Sequence, residues 1–86
     1  MRRHPTPPWW DWPLGLTAHI KRRMRQRGFS ETELRGMLGS SVGLRPDVAE
    51  GRFIADCRHG RERWQVILEP DYERTVLWAI TAYRIS

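Results

Sequence analysis

The sequence predicts a small α+β domain, in which two N-terminal helices pack on one face of a three- to four-stranded antiparallel sheet. Two short helical segments with capping signals occupy residues 18–39, and runs rich in β-branched and aromatic residues follow from residue 42 onward. Apolar and polar residues also alternate over 10–16, which adds an extra N-terminal edge strand or arm. Eighty-six residues make one domain with a two-layer core.

The N-terminal segment changes character at residue 9. Residues 1–8 contain three prolines and nothing to bury, which predicts a flexible Pro-rich leader ahead of a single domain over 9–86. The alternation that follows resembles a strand with one buried face. Pro13 and Gly15 interrupt it, so we expect an edge strand or an extended arm.

The two helices are predicted from their ends. Thr17 has the side chain of an N-cap, and the helix that it starts covers 18–27 before a glycine stop. Ser30 is followed three residues later by Glu33, which is the capping-box pattern, and Gly39 ends this second helix.

The remainder of the chain predicts the sheet. A short strand is expected within 42–48, and a hairpin is expected from the runs 51–58 and 62–69. Pro70-Asp71 predicts the next reversal. Residues 74–85 form the most apolar run, which predicts a central strand.

The net charge is concentrated in the first third of the chain. Residues 1–29 hold seven Lys/Arg and one acid, a net charge of +6, whereas residues 30–86 hold eight Arg and nine acids, a net charge of −1. Five of the cations lie within 19–29. This asymmetry indicates an anionic partner such as nucleic acid, a membrane surface or an acidic protein. The alternative is a solvated helix face on a basic protein.

Several functional classes find no support in the sequence. Cys57 is the single cysteine, so it forms no internal disulfide, and no Cys/His cluster has zinc spacing. There is no Gly-rich phosphate loop and no nucleophile elbow. The Pro-rich start is not a signal peptide, and no apolar run reaches the roughly 18 residues that a membrane helix needs. We therefore expect a cytoplasmic protein with no metal or cofactor and no membrane partner.

One flank of the first helix carries groups suited to RNA chemistry. His19, Arg23 and Arg27 follow the spacing i, i+4, i+8, which places them on one face. A neutral His can transfer protons near pH 7, and an Arg can stabilise the charge that develops on a phosphate. These residues therefore predict acid–base cleavage of RNA. The alternative for the histidine is a surface or capping side chain.

The last strand supplies a second polar group. Alternation predicts that Thr81 and Tyr83 share one face with Leu77 and Ala79. Tyr83 can hydrogen-bond a phosphate or stack on a base, although it can equally close the edge of the core. We expect further nucleic-acid contacts from arginines on the helix, the hairpin and the last strand, namely Arg27, Arg52, Arg58, Arg63 and Arg84.

Two segments of this chain resemble a known family. The run from His19 to Ser30 resembles the opening motif of the domain-of-unknown-function 4258 family, in which a His and an Arg-Met pair precede Arg-Gly and an apolar residue. The closing 80–83 resembles that family's terminal strand, and the starts at 9–12 and 50–52 are similar to one subgroup of it. Ile20 departs from the small residue that is common in the family.

The resemblance covers residues 9–85 and carries expectations about function. Such domains are similar in layout to RelE-like small ribonuclease toxins. This implies a bacterial, metal-independent endoribonuclease that leaves 2′,3′-cyclic phosphate ends and is restrained by an acidic antitoxin or immunity protein. By the same resemblance His19 is the acid/base, Arg23 and Arg27 bind phosphate, and Thr81 and Tyr83 support them. The alternative is a non-catalytic module of a toxin–antitoxin pair that binds nucleic acid or protein.

Overall fold

The computed structural model describes residues 4–86, so the first three residues of the predicted leader lie outside the described part of the chain. The elements are a 3₁₀ turn (Pro8–Asp11), β1 (Leu14–Leu16), α1 (Ala18–Arg27), α2 (Glu31–Gly39), β2 (Gly43–Pro46), β3 (Phe53–His59), β4 (Glu62–Asp71) and β5 (Val76–Arg84). The five strands form one sheet in the order β1-β5-β4-β3-β2.

The α+β class with two helices is confirmed, but the sheet is larger than predicted and it is mixed. The pairs β2–β3, β3–β4 and β4–β5 are antiparallel, whereas β1 pairs with β5 in parallel. β4 occupies one edge of β5, and β1 occupies the other. The N–H of Leu77 donates to the Pro13 carbonyl at 2.9 Å, so the N-terminal arm supplies a fifth strand rather than an accessory.

The N-terminal strand is shorter than the alternation predicts. The backbone over Pro8–Asp11 forms a 3₁₀ turn with a proline in its first positions, where the missing N–H costs nothing. The prediction that Trp10 begins a strand was therefore wrong. The turn buries Trp9, which is 4% exposed, and packs its ring at a tilt against that of Phe53, with the ring centres 4.8 Å apart.

Both helices begin and end where their capping residues predict. The Thr17 side chain accepts the N–H of Ile20, and Gly28 ends α1 with a left-handed φ of 75°. The capping box of α2 is present in both directions, between Ser30 and Glu33. α1 packs on β5 and α2 packs on β3, both on one face of the sheet.

The last reversal begins later than predicted. β4 continues through Pro70 to Asp71, whose carboxylate accepts the backbone N–H groups of Glu73 and Arg74 at 3.1 Å. The prediction of a turn at Pro70-Asp71 was wrong, because these two residues pair with Leu77 and Val76 of β5. β3 pairs with β4 only as far as Leu68. Pro70 therefore occupies a strand position with one neighbouring strand, where its missing N–H is tolerated.

The core lies between the helices and one face of the sheet. The helices contribute Ile20, Met24, Leu34, Met37 and Leu38, and the sheet contributes Ala55, Cys57, Trp64, Val66, Leu68, Leu77, Ala79 and Ala82. We call the sheet face that points away from the helices the open face. Among residues 4–86, no helix has the length and apolarity that a bilayer crossing requires.

Gly15 tests how β1 joins the sheet. A Cβ at this position would lie 2.6 Å from a ring carbon of Trp78 and 2.9 Å from a methyl carbon of Val76. We expect Gly15→Ala to lower the free energy of unfolding by about 1–3 kcal/mol, because the indole must move. Gly36→Ala is the control. Its Cβ would meet no described atom within 4 Å, and Ala favours a helix by about 0.5–1 kcal/mol. Urea unfolding of both variants measures the difference, and equal midpoints would contradict the contact.

Candidate nucleic-acid interface

A β-bulge in β5 decides where the predicted strand residues point. Leu68 pairs with Ala79 and Ile67 pairs with Thr81, so Ile80 is an extra residue without a partner on β4. Leu77 and Ala79 face the helices. The extra residue reverses the alternation, and Thr81 and Tyr83 point to the open face. The prediction that they share a face with Leu77 and Ala79 was therefore wrong.

The bulge is joined directly to the start of α1. The Thr17 hydroxyl donates to the Ile80 carbonyl at 2.7 Å, and the Thr17 N–H donates to the Ala79 carbonyl at 3.4 Å. The same hydroxyl oxygen accepts the N–H of Ile20 at 3.1 Å. One side chain thus caps the helix and holds the irregular strand. We call these contacts the Thr17 joint.

The joint places two predicted site segments side by side. His19 lies two residues after Thr17, and Thr81 lies one residue after Ile80. His19 is exposed in the first turn of α1. In the described part of the chain, no hydrogen bond or ion pair joins His19 to Thr81 or Tyr83. The structure therefore places the backbone segments of His19 and Thr81 next to each other, but Thr81 and Tyr83 point to the sheet face away from α1 and do not meet His19.

Arg23 differs from the other cations of α1. It is half-buried, while Lys21, Arg22, Arg25 and Arg27 are exposed. Its Nε is buried and has no hydrogen-bond partner among residues 4–86. A buried donor without an acceptor costs free energy, so the Nε–H of Arg23 lowers the stability of the fold unless it finds a partner. A guanidinium that packing already restrains also loses less conformational entropy when it binds an anion.

The open face carries a groove beside the β3–β4 turn. It has a volume of about 490 Å³ and is lined by Val42, Gly43, Arg45, Asp56, Cys57, Arg58, Arg63, Trp64, Gln65 and Ile85. We call it the arginine groove. Arg58 and Arg63 are exposed and directly opposite each other in the β3–β4 register, as the sequence predicts. Like charges at such positions repel each other, which favours an anion between them.

A fixed polar network forms the floor of the arginine groove. Asp56 accepts hydrogen bonds from the Arg45 guanidinium and, at 3.1 Å, from the Gln65 amide. Tyr83 is the register partner of Gln65 on the open face, and 37% of it is exposed. Its phenol therefore lies on the open face next to Gln65, which lines the groove, instead of closing the core.

Ion pairing divides the cations of the domain into two groups. Among residues 4–86, eight of the thirteen Lys/Arg side chains have no carboxylate within 4 Å: Lys21, Arg22, Arg23, Arg25, Arg27, Arg58, Arg61 and Arg63. All eight belong to α1 or to the hairpin around the β3–β4 turn. These two elements meet at one end of the domain, because Phe29 follows α1 and its ring lies 5.4 Å from that of Trp64.

Two arginines that the sequence predicts as nucleic-acid contacts have acidic partners. Arg52 bonds to Glu69 at 2.9 Å, and Arg84 bonds to Glu62 at 3.0 Å. Hydrogen bonds from the Trp64 indole and from Arg84 lower the pKa of Glu62, which keeps this carboxylate ionised. Arg27 and the arginine groove therefore offer more charge to a ligand than these two residues do.

The remaining histidines and the cysteine serve the fold. The Nδ1–H of His4 donates to the Pro5 carbonyl, so its Nε2 accepts the Ser41 hydroxyl at 2.6 Å. His59 lies 3.5 Å from a Glu33 oxygen. Burial raises the pKa of Cys57 to about 12, so its thiol is a poor nucleophile. Among the described residues, no His/Cys/Asp/Glu group has the arrangement of a metal site.

Comparisons with protein-family models, curated proteins and solved structures find no match for this chain.

Proposed function

We propose that this domain binds RNA through α1 and the arginine groove. The observation that carries the proposal is the segregation of charge: among residues 4–86, the eight Lys/Arg side chains without an acidic partner all lie on α1 or on the hairpin around the β3–β4 turn. Phosphate contacts supply most of the affinity of nucleic-acid binding, and unpaired cations make them without first breaking an ion pair. Tyr83 beside the groove offers a ring on which a base can stack.

The flank formed by His19, Arg23 and Arg27 predicts a measurable salt dependence. We expect Arg23→Ala/Arg27→Ala to weaken RNA binding and to flatten the plot of log affinity against log salt by about two units, one for each lost phosphate contact. Titration of a labelled RNA at several salt concentrations measures the slope.

A control on the same helix separates the flank from the general charge. Arg22→Ala/Arg25→Ala removes the same charge from positions on other sides of α1. This variant should retain a slope closer to that of the wild type. A slope that the Arg23/Arg27 substitutions leave unchanged would rule out this flank as a contact surface.

RNA cleavage is the second function that we propose, and the observation that supports it is the Thr17 joint, which places the start of α1 beside the bulge of β5. RNA transesterification needs an acceptor for the 2′-hydroxyl proton, a donor for the leaving 5′-oxygen and a cation beside the phosphorane. His19 would take the proton of the attacking hydroxyl, and Arg23 would stabilise the phosphorane charge. Thr81 and Tyr83 point to the open face, so a role for Tyr83 in positioning the phosphate or protonating the leaving group requires the RNA to pass around the outer edge of β5 beyond Ala79. No metal ion enters this scheme.

An acidic protein is the alternative occupant of the basic surface. In the toxin-type function that the resemblance implies, an antitoxin or immunity protein would cover α1, because complementary charge gives fast and selective association. A module that binds only such a protein would retain the cationic surface without RNA affinity. The salt titration therefore also distinguishes the two functions, since failure to bind RNA at low salt favours the protein-binding module.

A further inference from the structure

We propose that Thr17 is a positioning residue of the RNA site, whose hydroxyl fixes the start of α1, and with it the cationic flank of the helix, to β5. This inference rests on the proposed RNA binding. It adds a residue to which neither the sequence motifs nor the resemblance assigns a role beyond capping.

The Thr17 side chain makes one more hydrogen bond than a helix cap requires. A helix cap needs only an oxygen that accepts a backbone N–H, and the bond to Ile20 satisfies that need. The hydroxyl proton of Thr17 makes a further bond, at 2.7 Å, to the carbonyl of Ile80. This carbonyl belongs to the bulge residue, which makes no ladder pair with β4. The second bond is therefore a link between the helix and the strand and not part of the cap.

The position of the joint explains why it matters for RNA. The flank of α1 with Arg23 and Arg27 lies on the helix side of the sheet, and its position there depends on how the start of α1 is fixed to β5. β1 ends at Leu16, so β5 has no β1 partner beyond Ala79. Beyond this point the link between Thr17 and Ile80 ties the start of α1 to β5. Loss of the link leaves the start of α1, and therefore the helix that carries these cations, less restrained.

A double-mutant cycle tests the proposal. We expect Thr17→Val, which is isosteric and has no hydroxyl, to weaken RNA affinity about tenfold in the wild-type background, since groups within one network are energetically coupled. In the Arg23→Ala/Arg27→Ala background the same substitution should change affinity less than about twofold, because the positioned cations are gone. Thr17→Ser retains the hydroxyl and should bind as the wild type does.

Ser30→Ala is the matched stability control. It removes the N-cap of the neighbouring helix without touching the joint. We expect a fall in melting temperature similar to that of Thr17→Val and an unchanged RNA affinity. If Ser30→Ala weakens binding as much as Thr17→Val does, the effect is general destabilisation and the proposal is wrong.

A second variant separates the cap from the link. Thr17→Asp keeps an oxygen that accepts the Ile20 N–H, but its carboxylate cannot donate to the Ile80 carbonyl. Ala18→Asp places the same charge one residue further along and serves as its control. We expect Thr17→Asp to bind RNA several-fold more weakly than Ala18→Asp. Equal affinity of the two variants would overturn the role of the link.

The outcomes also distinguish the two proposals. If the Arg23/Arg27 substitutions weaken binding but Thr17→Val has equal effects in both backgrounds, RNA binding by this flank stands and the role of Thr17 is overturned. If the Arg23/Arg27 substitutions leave RNA affinity unchanged, α1 is not the contact surface and both proposals fail.

Discussion

His19→Ala should lower the rate of metal-free RNA cleavage by about 10²–10⁴-fold, the usual cost of losing a positioned proton-transfer group. The assay is cleavage of total RNA in EDTA, which separates this chemistry from that of a metal-dependent contaminant. Tyr83→Phe removes the phenolic hydroxyl and keeps the ring, so its rate reports the polar part of the tyrosine contribution. Both residues are exposed at the surface, so we expect both variants to fold.

His4→Ala is the matched histidine control for this assay. His4 bonds to Ser41 and contacts the Trp10 ring, away from the α1 flank. Its replacement should leave the cleavage rate unchanged. Equal rates for His19→Ala and the wild type would remove the histidine from the mechanism. A wild type that binds RNA but cleaves none would identify the domain as a binding module.

Charge reversal in the arginine groove should abolish most of the RNA affinity. Arg58→Glu/Arg63→Glu changes the net charge by −4 at two facing positions, and we expect a loss of about a hundredfold or more at moderate salt. Arg35→Glu/Arg74→Glu makes the same net change at exposed sites outside the groove and α1. This control should lose much less affinity, because distant charges are screened.

The facing arginines of the groove are expected to lower the stability of the fold while they raise RNA affinity. Replacement of Arg58 alone by a neutral residue such as Gln relieves the repulsion across the β3–β4 pair. We expect Arg58→Gln to raise the free energy of unfolding by about 0.2–1 kcal/mol while RNA affinity falls. A variant that loses both stability and affinity would show that the pair serves the fold rather than a ligand. Urea unfolding beside RNA titration makes the comparison.

The parts of the fold that follow from local interactions were predictable from the sequence. The capping signals at Thr17 and Ser30 predict the start of each helix, because the bonds that they make span three residues. The turn between β3 and β4 is likewise local, and so is the register that places Arg58 opposite Arg63. In each case the residues that specify the structure are neighbours in the chain.

The parts that depend on distant residues were not predictable in this way. β1 pairs with β5 across more than sixty residues, and no pattern in Leu14–Leu16 specifies that partner. The bulge at Ile80 is hidden because the whole run around it is apolar or small, so either face is compatible with burial. The predicted flank of α1 needs only helical spacing, whereas the placement of Thr81 and Tyr83 depends on the bulge.

The position of β5 within the sheet constrains the order in which the domain can be completed during synthesis. β5 is made after every other element described here, yet it lies between β1 and β4 and carries the carbonyl that Thr17 binds. While a ribosome is still making β5, β1 has no strand to join and the start of α1 has no anchor. Long-range pairing of this kind is slow, since loop-closure entropy must be overcome first. In a nascent chain, the cationic segment of α1 is therefore exposed before β5 has joined the sheet.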